Sequence, residues 1–316
     1  MTGIGPDLTE SSGNRWKPQT LSVNKGFCFQ GPIPVGAGFL LSAEEAATLL
    51  ADSSADYRQV VRPYLVGEDI ANQPDQSPSR WTIDFAHRTL EEAGRFPAAL
   101  AIVRDRVRPE RDRNRDRRFR EEWWRFGRPR HEMRTALNGR MRYLAGTATG
   151  KRLLLGWQEA WTCPSNLTNV FAFEDDYSAS ILLSRTHGSW AWAQSSTLKG
   201  DLRYTPSSVF MTFAWPDPVS AAQRDRVAEA SRRLLARRSE ICLAEGIGLT
   251  KLYNAVDEGA WADLKALHRE LDVAVADCYG WPASVAQDDR EIVRRLTELN
   301  QEISEGRRAY APFDTD

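Results

Sequence analysis

The 316-residue chain is expected to be an α+β protein, a mixed α/β unit followed by an all-helical one. Three observations carry that expectation. Short runs rich in Val, Ile, Phe and Trp, bounded by turn residues, crowd the first two thirds of the chain. Helical spacing of apolar residues takes over after Pro216 and Pro218. The charge also changes sign there. Residues 1–217 hold 28 Lys/Arg against 25 Asp/Glu (+3), and residues 218–316 hold 14 against 18 (−4), summing to the overall −1.

The elements follow in order. Residues 1–20 are polar, with Gly, Pro, Ser and Asn prominent, and are expected to be a flexible leader. A second unit is expected over residues 21–217. Its strand-like runs are 26–30, 35–41, 81–85, 153–157, 170–173, 181–183 and 209–213. Ser42 and Glu45 form a capping-box pattern ahead of an apolar helical run at 46–50. Further helix-like stretches are 98–108 and 130–144. The third unit, 218–316, is expected to be three or four amphipathic helices with acidic outer faces. Its core-facing residues are Val227, Leu234 and Ile241, then Leu264, Leu267, Leu271 and Val275, then Ile292, Leu296, Leu299 and Ile303.

Composition excludes several classes. No apolar run reaches the length of a membrane helix, and no signal-peptide pattern opens the chain. Cys28, Cys163, Cys242 and Cys278 lie far apart without a CxxC pair, which argues against a zinc ribbon or a disulfide framework and for a reducing cytoplasm. The four histidines, His87, His131, His187 and His268, are equally scattered, so no metal site is expected.

Residues 104–134 hold 13 Arg and 7 acidic residues, interleaved with Phe119, Trp123, Trp124 and Phe126. Arginine with aromatics fits a nucleic-acid groove, by phosphate neutralisation and base stacking. A solvated helix laced with Arg–Asp pairs fits equally. Only six of the 42 cations are lysine, a bias that suits phosphate contacts and that a high-GC genome also produces. The run Val35-Gly36-Ala37-Gly38-Phe39 lacks the third glycine of a dinucleotide loop and is read as a strand-edge turn. Glu174, Asp175 and Asp176 are read as a solvated turn, since no catalytic Lys follows them. His187 near Ser184 lacks an elbow or an orienting acid and is read as structural. No catalytic constellation is visible. Lys199, Asp201 and Arg203 alternate, so on one strand they share a face. Lys can donate to guanine while Asp accepts from cytosine, a pairing that reads a G·C pair. The competing explanation is a cross-strand salt bridge.

Several stretches together resemble one family. They are Phe29-Gln30-Gly31 with Gly38-Phe39-Leu40-Leu41-Ser42, Arg62-Pro63-Tyr64-Leu65 with Gly67-Glu68-Asp69-Ile70, and Trp81-Thr82-Ile83-Asp84-Phe85. Then come Val107-Arg108-Pro109-Glu110-Arg111, Trp123-Trp124-Arg125-Phe126-Gly127, Leu183-Ser184-Arg185-Thr186-His187-Gly188-Ser189-Trp190, Arg203-Tyr204-Thr205 and Phe213-Ala214-Trp215-Pro216. In the tail they are Gly248-Leu249-Thr250-Lys251-Leu252-Tyr253-Asn254, the segment from Leu267 to Val275, and Tyr279-Gly280-Trp281. In this order they resemble the target-recognition domain and C-terminal helical domain of MmeI-like (type IIL) restriction–modification enzymes and related adenine methyltransferases, over about residues 20–316.

The resemblance implies sequence-specific recognition of duplex DNA. It implies base reading by Lys199 and Asp201, with Arg203 beside them, and makes Arg125, Arg128 and Arg130 backbone-phosphate candidates. His268 and Asp272 are then helix-packing or interface residues. Family members carry an S-adenosylmethionine-binding methyltransferase domain ahead of this region, and its motifs are not found here. The expectation is therefore no catalytic residue, cofactor or metal in this chain, with S-adenosylmethionine on a separate or partner domain. The chain is then an independently encoded specificity subunit, an excised segment or a gene remnant, cytoplasmic and nucleoid-associated. Other expectations kept open are a methyltransferase active only with a partner chain, and an RNA-binding or structural module.

Overall fold

The computed structural model describes residues 17–198 and 200–313. Near the N-terminus, β1 (Cys28–Gln30) leads into a glycine-containing turn and β2 (Leu40–Leu41). Helix α1 (Ala43–Ala51) starts on the expected capping box: Ser42 Oγ accepts from the Glu45 N–H at 3.2 Å, and the Ser42 N–H donates back to Glu45 Oε2 at 2.8 Å. β3 (Val61–Leu65), α2 (Gly67–Asn72) and β4 (Arg80–Ile83) follow, then a run of short helices: α3 (Leu90–Ala93), α4 (Pro97–Arg106), α5 (Arg108–Arg111), α6 (Arg117–Glu121) and α7 (His131–Leu137). The chain then forms β5 (Arg142–Thr147), β6 (Thr149–Gly150), β7 (Leu155–Glu159), β8 (Cys163–Pro164) and β9 (Thr168–Phe171). Helices α8 (Asp176–Leu183) and α9 (Arg185–Gln194) precede a hairpin of β10 (Ser196–Leu198) and β11 (Asp201–Arg203).

The strands make three sheets. One is antiparallel, in the order β1-β9-β5-β7; a second runs β2-β4-β3-β8, with β3 and β8 parallel; the third is β10-β11-β6. The second sheet packs with α1 and α4 on a core of Phe39, Tyr57, Val61, Ile83, Phe85 and Val103. The first sheet belongs to a larger core that continues past residue 218 into the helical tail.

That tail is four helices, α10 (Ala221–Glu245), α11 (Leu249–Asp257), α12 (Ala262–Cys278) and α13 (Asp289–Ser304). Of the expected core residues, Val227, Leu234, Ile241, Leu264, Leu271, Val275, Ile292 and Leu296 are buried, while Leu267, Leu299 and Ile303 are half-buried. Along α10 their spacing of seven residues keeps them on one stripe, which packs on α8 and α12. Arg152, just after β6, binds Asp257 of α11 at 2.6 Å and joins the sheet region to the tail.

Three expectations are corrected. The run 181–183 lies in α8, because Asp175 caps a helix there, its Oδ1 accepting from the Ser178 N–H at 2.7 Å. The run 209–213 holds a 3-10 turn at Phe210–Thr212 that buries Phe210 and Phe213. The helix expected over 130–144 ends at Leu137, and β5 begins at Arg142. Short apolar runs suit either a strand or a buried helical turn, and tertiary packing chooses between them.

Candidate nucleic-acid interface

The hairpin begins with backbone geometry. β10 pairs with β11 as Ser196↔Arg203, Thr197↔Leu202 and Leu198↔Asp201, so a two-residue connection joins the strands. Gly200 takes φ +88° there, a conformation that side chains disfavour. Along β11 the alternation is Asp201 exposed, Leu202 buried, Arg203 exposed. Leu202 enters the main core. The next residue, Tyr204, is an anchor: its N–H donates to the Ala148 carbonyl at 2.9 Å, and its hydroxyl lies 3.1 Å from His187 Nε2. His187 is buried edge-on against Phe213, and burial pulls its pKa down to about 3, so a neutral imidazole holds the hairpin's foot. The structural reading of His187 fits this geometry.

The sequence-expected trio is therefore divided. Asp201 and Arg203 share one open face, but their strand starts only at Asp201, and Lys199 lies outside the described residues. The left-handed Gly200 immediately precedes β11, and whether Lys199 shares the face of Asp201 and Arg203 falls outside the described residues. The salt-bridge explanation finds no support either. Asp201 faces Leu198 across the ladder, Arg203 faces Ser196 and Thr149, and neither pairs with a described charged residue.

Two neighbours escaped the sequence reading. Leu167 is 61% exposed, and its carbonyl accepts from the Ala148 N–H at 3.1 Å, one backbone step from Tyr204 and the hairpin. An apolar residue alone in a turn carries no sequence signature, so only the fold reveals it. Beyond Tyr204 a cleft of about 460 Å³ opens, lined by Thr205, Pro206 and Ser207 on one side and Gln30, Arg130 and His131 on the other.

Nine of the thirteen arginines in residues 104–134 are exposed, and a minority turn inward. Arg111 is 3% exposed and has no carboxylate partner; its guanidinium donates to the carbonyls of Pro34, Val35, Glu122 and Arg125 at 2.5–3.3 Å. It lies between the rings of Phe39 and Phe119, each 5.1 Å away. Burial pulls its pKa down to about 10, which leaves it charged at neutral pH. Arg118 reaches the Gly127 carbonyl, and Arg134 meets the buried Asp84 at 2.7 Å. Trp123, Trp124 and Phe126, expected as stacking surfaces, are core residues.

The three phosphate candidates differ accordingly. Arg125 is a brace that donates to the His87 and Arg88 carbonyls and to Glu122. Arg130 is held by Gly31 and Gln30 at the rim of the cleft. Arg128 is exposed, and its side chain has no partner among the described residues. Elsewhere, Asp176 pairs with Arg142 and Arg232, and the described residues contain no cluster able to hold a metal. His268 Nε2 meets the Tyr253 hydroxyl at 3.1 Å between α12 and α11. Asp272 accepts from the Arg185 N–H at 2.8 Å, so both pack helices together. No helix among the described residues is long and apolar enough to cross a membrane.

A charged hairpin on a mixed sheet, closed by four helices, is a fold found in a restriction–modification enzyme. A solved structure of the type IIL restriction–modification enzyme MmeI, in complex with DNA, superposes with a TM-score of 0.73 at 20% identity, covering 93% of this chain and 38% of that one. The family model for the MmeI target recognition domain matches residues 26–217, and the chain belongs to that family. DNA methyltransferase A of Bacillus subtilis (strain 168) is 32% identical over 151 residues, 48% of this chain. The chain thus spans 16% of that relative's length and 38% of the solved enzyme's.

Proposed function

We propose that this chain is the part of a restriction–modification or phage-defence adenine methyltransferase that recognises a duplex-DNA sequence. The observation that carries this reading is the hairpin. Asp201 and Arg203 stand exposed, without a charged partner among the described residues, on a strand whose other face is locked into the core by Leu202 and Tyr204. A fixed strand offering one acceptor and one bidentate donor suits the edges of bases in the major groove. Lys199, two residues before Asp201 in the sequence, joins them as a third base-reading residue. Leu167 supplies an apolar contact beside them, and Arg128 and Arg130 supply phosphate contacts.

On this proposal the chain positions DNA while a methyltransferase domain or subunit, carrying S-adenosylmethionine, extrudes and methylates the adenine. This chain contributes no catalytic residue and no cofactor site, and its place is the nucleoid. The 32% identity to a protein named DNA methyltransferase A supports such a partner.

The test is selection of bound fragments from a randomised duplex pool at two salt concentrations. Enrichment of a defined motif is expected, with affinity falling as salt rises. R203A should lose about 1–3 kcal/mol on the enriched site and relax one base position. Equal loss on enriched and scrambled DNA would refute base reading by Arg203. Better competition by RNA than by duplex DNA would overturn the reading itself.

A further inference from the structure

We propose that His87 and His131 form a proton-linked contact for a DNA backbone phosphate, an inference that rests on the reading above that the chain binds duplex DNA. The two histidines come from different parts of the fold, His87 from the loop after β4 and His131 from the first position of α7. His131 Nδ1 and His87 Nε2 lie 3.0 Å apart, with the rings nearly perpendicular at 4.5 Å. Both side chains remain exposed.

The backbone is held so as to present them. Each histidine follows a non-glycine residue in the left-handed region, Ala86 at φ 52° and Arg130 at φ 57°. L-residues avoid that region unless the surroundings impose it. Here the surroundings do. Asp84 Oδ1 accepts from the Ala86 N–H at 3.0 Å, and Arg125 donates to the His87 and Arg88 carbonyls at 2.8 and 2.9 Å. Trp124 Nε1 binds the same Arg88 carbonyl at 2.9 Å. The buried Asp84–Arg134 pair ties the loop to α7.

The position continues the proposed interface. His131 and Arg130 line one wall of the cleft whose other wall is Thr205 to Ser207, immediately after the base-reading strand. A DNA strand engaged by Arg203 that follows this cleft passes the histidine pair.

The charge environment sets the sign. Arg134, Arg125 and Asp84 act on His87, Arg62 and Arg88 interact with Asp84, and Arg130 and Glu132 flank His131. Burial, followed by Arg134, His131 and Arg125, holds His87 below the ordinary histidine range. At 3.0 Å one ring donates its N–H to the other ring's bare nitrogen, an arrangement that a doubly protonated pair cannot keep. A phosphate oxygen favours a positively charged pair over a neutral one, so binding takes up a proton and affinity rises as pH falls. The other two histidines are silent in this window, since burial pulls His187 to about 3 and His268 to about 4.

The test is fluorescence anisotropy of the whole chain with a labelled mixed-sequence duplex, at about pH 8 and about pH 6. Binding is expected to tighten about tenfold at the lower pH, and that ratio should collapse towards one in H87Q/H131Q. Calorimetry of the unaltered chain in buffers of different ionisation enthalpy should register net proton uptake on binding. A pH ratio that survives in the double variant, or binding without proton uptake, overturns the histidine contact alone. Absence of binding at either pH overturns it together with the reading on which it rests.

Discussion

The arginine-rich segment 104–134 and the β10–β11 hairpin are both charged, but four of the segment's arginines are tied to the protein's own backbone and carboxylates, whereas two charges of the hairpin stand open. In the segment, Arg111, Arg118, Arg125 and Arg134 spend their donors on backbone carbonyls and one buried carboxylate, and the interleaved tryptophans fill the core. In the hairpin, two charges stand open while the anchor beneath them is a neutral His–Tyr contact. The comparison teaches that charge density in a sequence does not locate a binding surface. On the proposed function, the donors left without a partner among the described residues are the ones free to meet DNA.

The largest test of this contrast is Arg111. Truncation by R111A leaves four carbonyls and a slot between two rings without their partner, which should cost about 3–5 kcal/mol of unfolding free energy. Urea unfolding measures it. A loss below about 1 kcal/mol would mean that the carbonyls are satisfied without the guanidinium.

Acid should attack the hairpin's side of the comparison. His187 and His268 have folded pKa values of about 3 and about 4, below the unfolded histidine value, so the unfolded chain binds protons first as pH falls. Their contribution is present above about pH 6.5 and is lost progressively below it. Asp272 works in reverse. Burial raises it to about 6, so it disfavours the fold at neutral pH and relents as pH drops through that value. From pH 7 to pH 5 the histidines lose about 4 kcal/mol together and Asp272 returns about 1 to 1.5, a net loss of roughly 2.5–3 kcal/mol. In H187Q about half of the histidine part of this slope should vanish. An unchanged slope would show that His187 is not held neutral beneath Tyr204.

Legibility followed the same division. Features with a local cause could be read: the Ser42–Glu45 cap, and the stripes of α10, α12 and α13, whose spacing is set by helical periodicity alone. Features decided by distant partners could not. Nothing in the sequence around Arg111 distinguishes it from Arg113, yet Pro34 and Val35, some seventy-six residues away, bury it. Asp201 and Arg203 were placed on a common face by alternation, whereas Leu167 next to them became visible only through the backbone ladder.

The smallest effect belongs to Arg128, one of the segment's exposed arginines whose side chain has no partner among the described residues. Its backbone is fixed by a two-way bridge to Ile33, with hydrogen bonds of 3.0 Å, while its side chain stands exposed beside Phe119 with no described partner. R128A should therefore leave stability within about 0.5 kcal/mol of the unaltered chain. If Arg128 meets a phosphate, the same substitution should weaken binding to enriched and scrambled duplexes equally and lower the salt slope by about one. R125A supplies the contrast, because its guanidinium is already held by two carbonyls and Glu122. It should destabilise the fold by about 1–2 kcal/mol with no change in salt slope. If the two variants exchanged these phenotypes, unpaired donors would no longer mark the binding surface, and the distinction between segment and hairpin would fail.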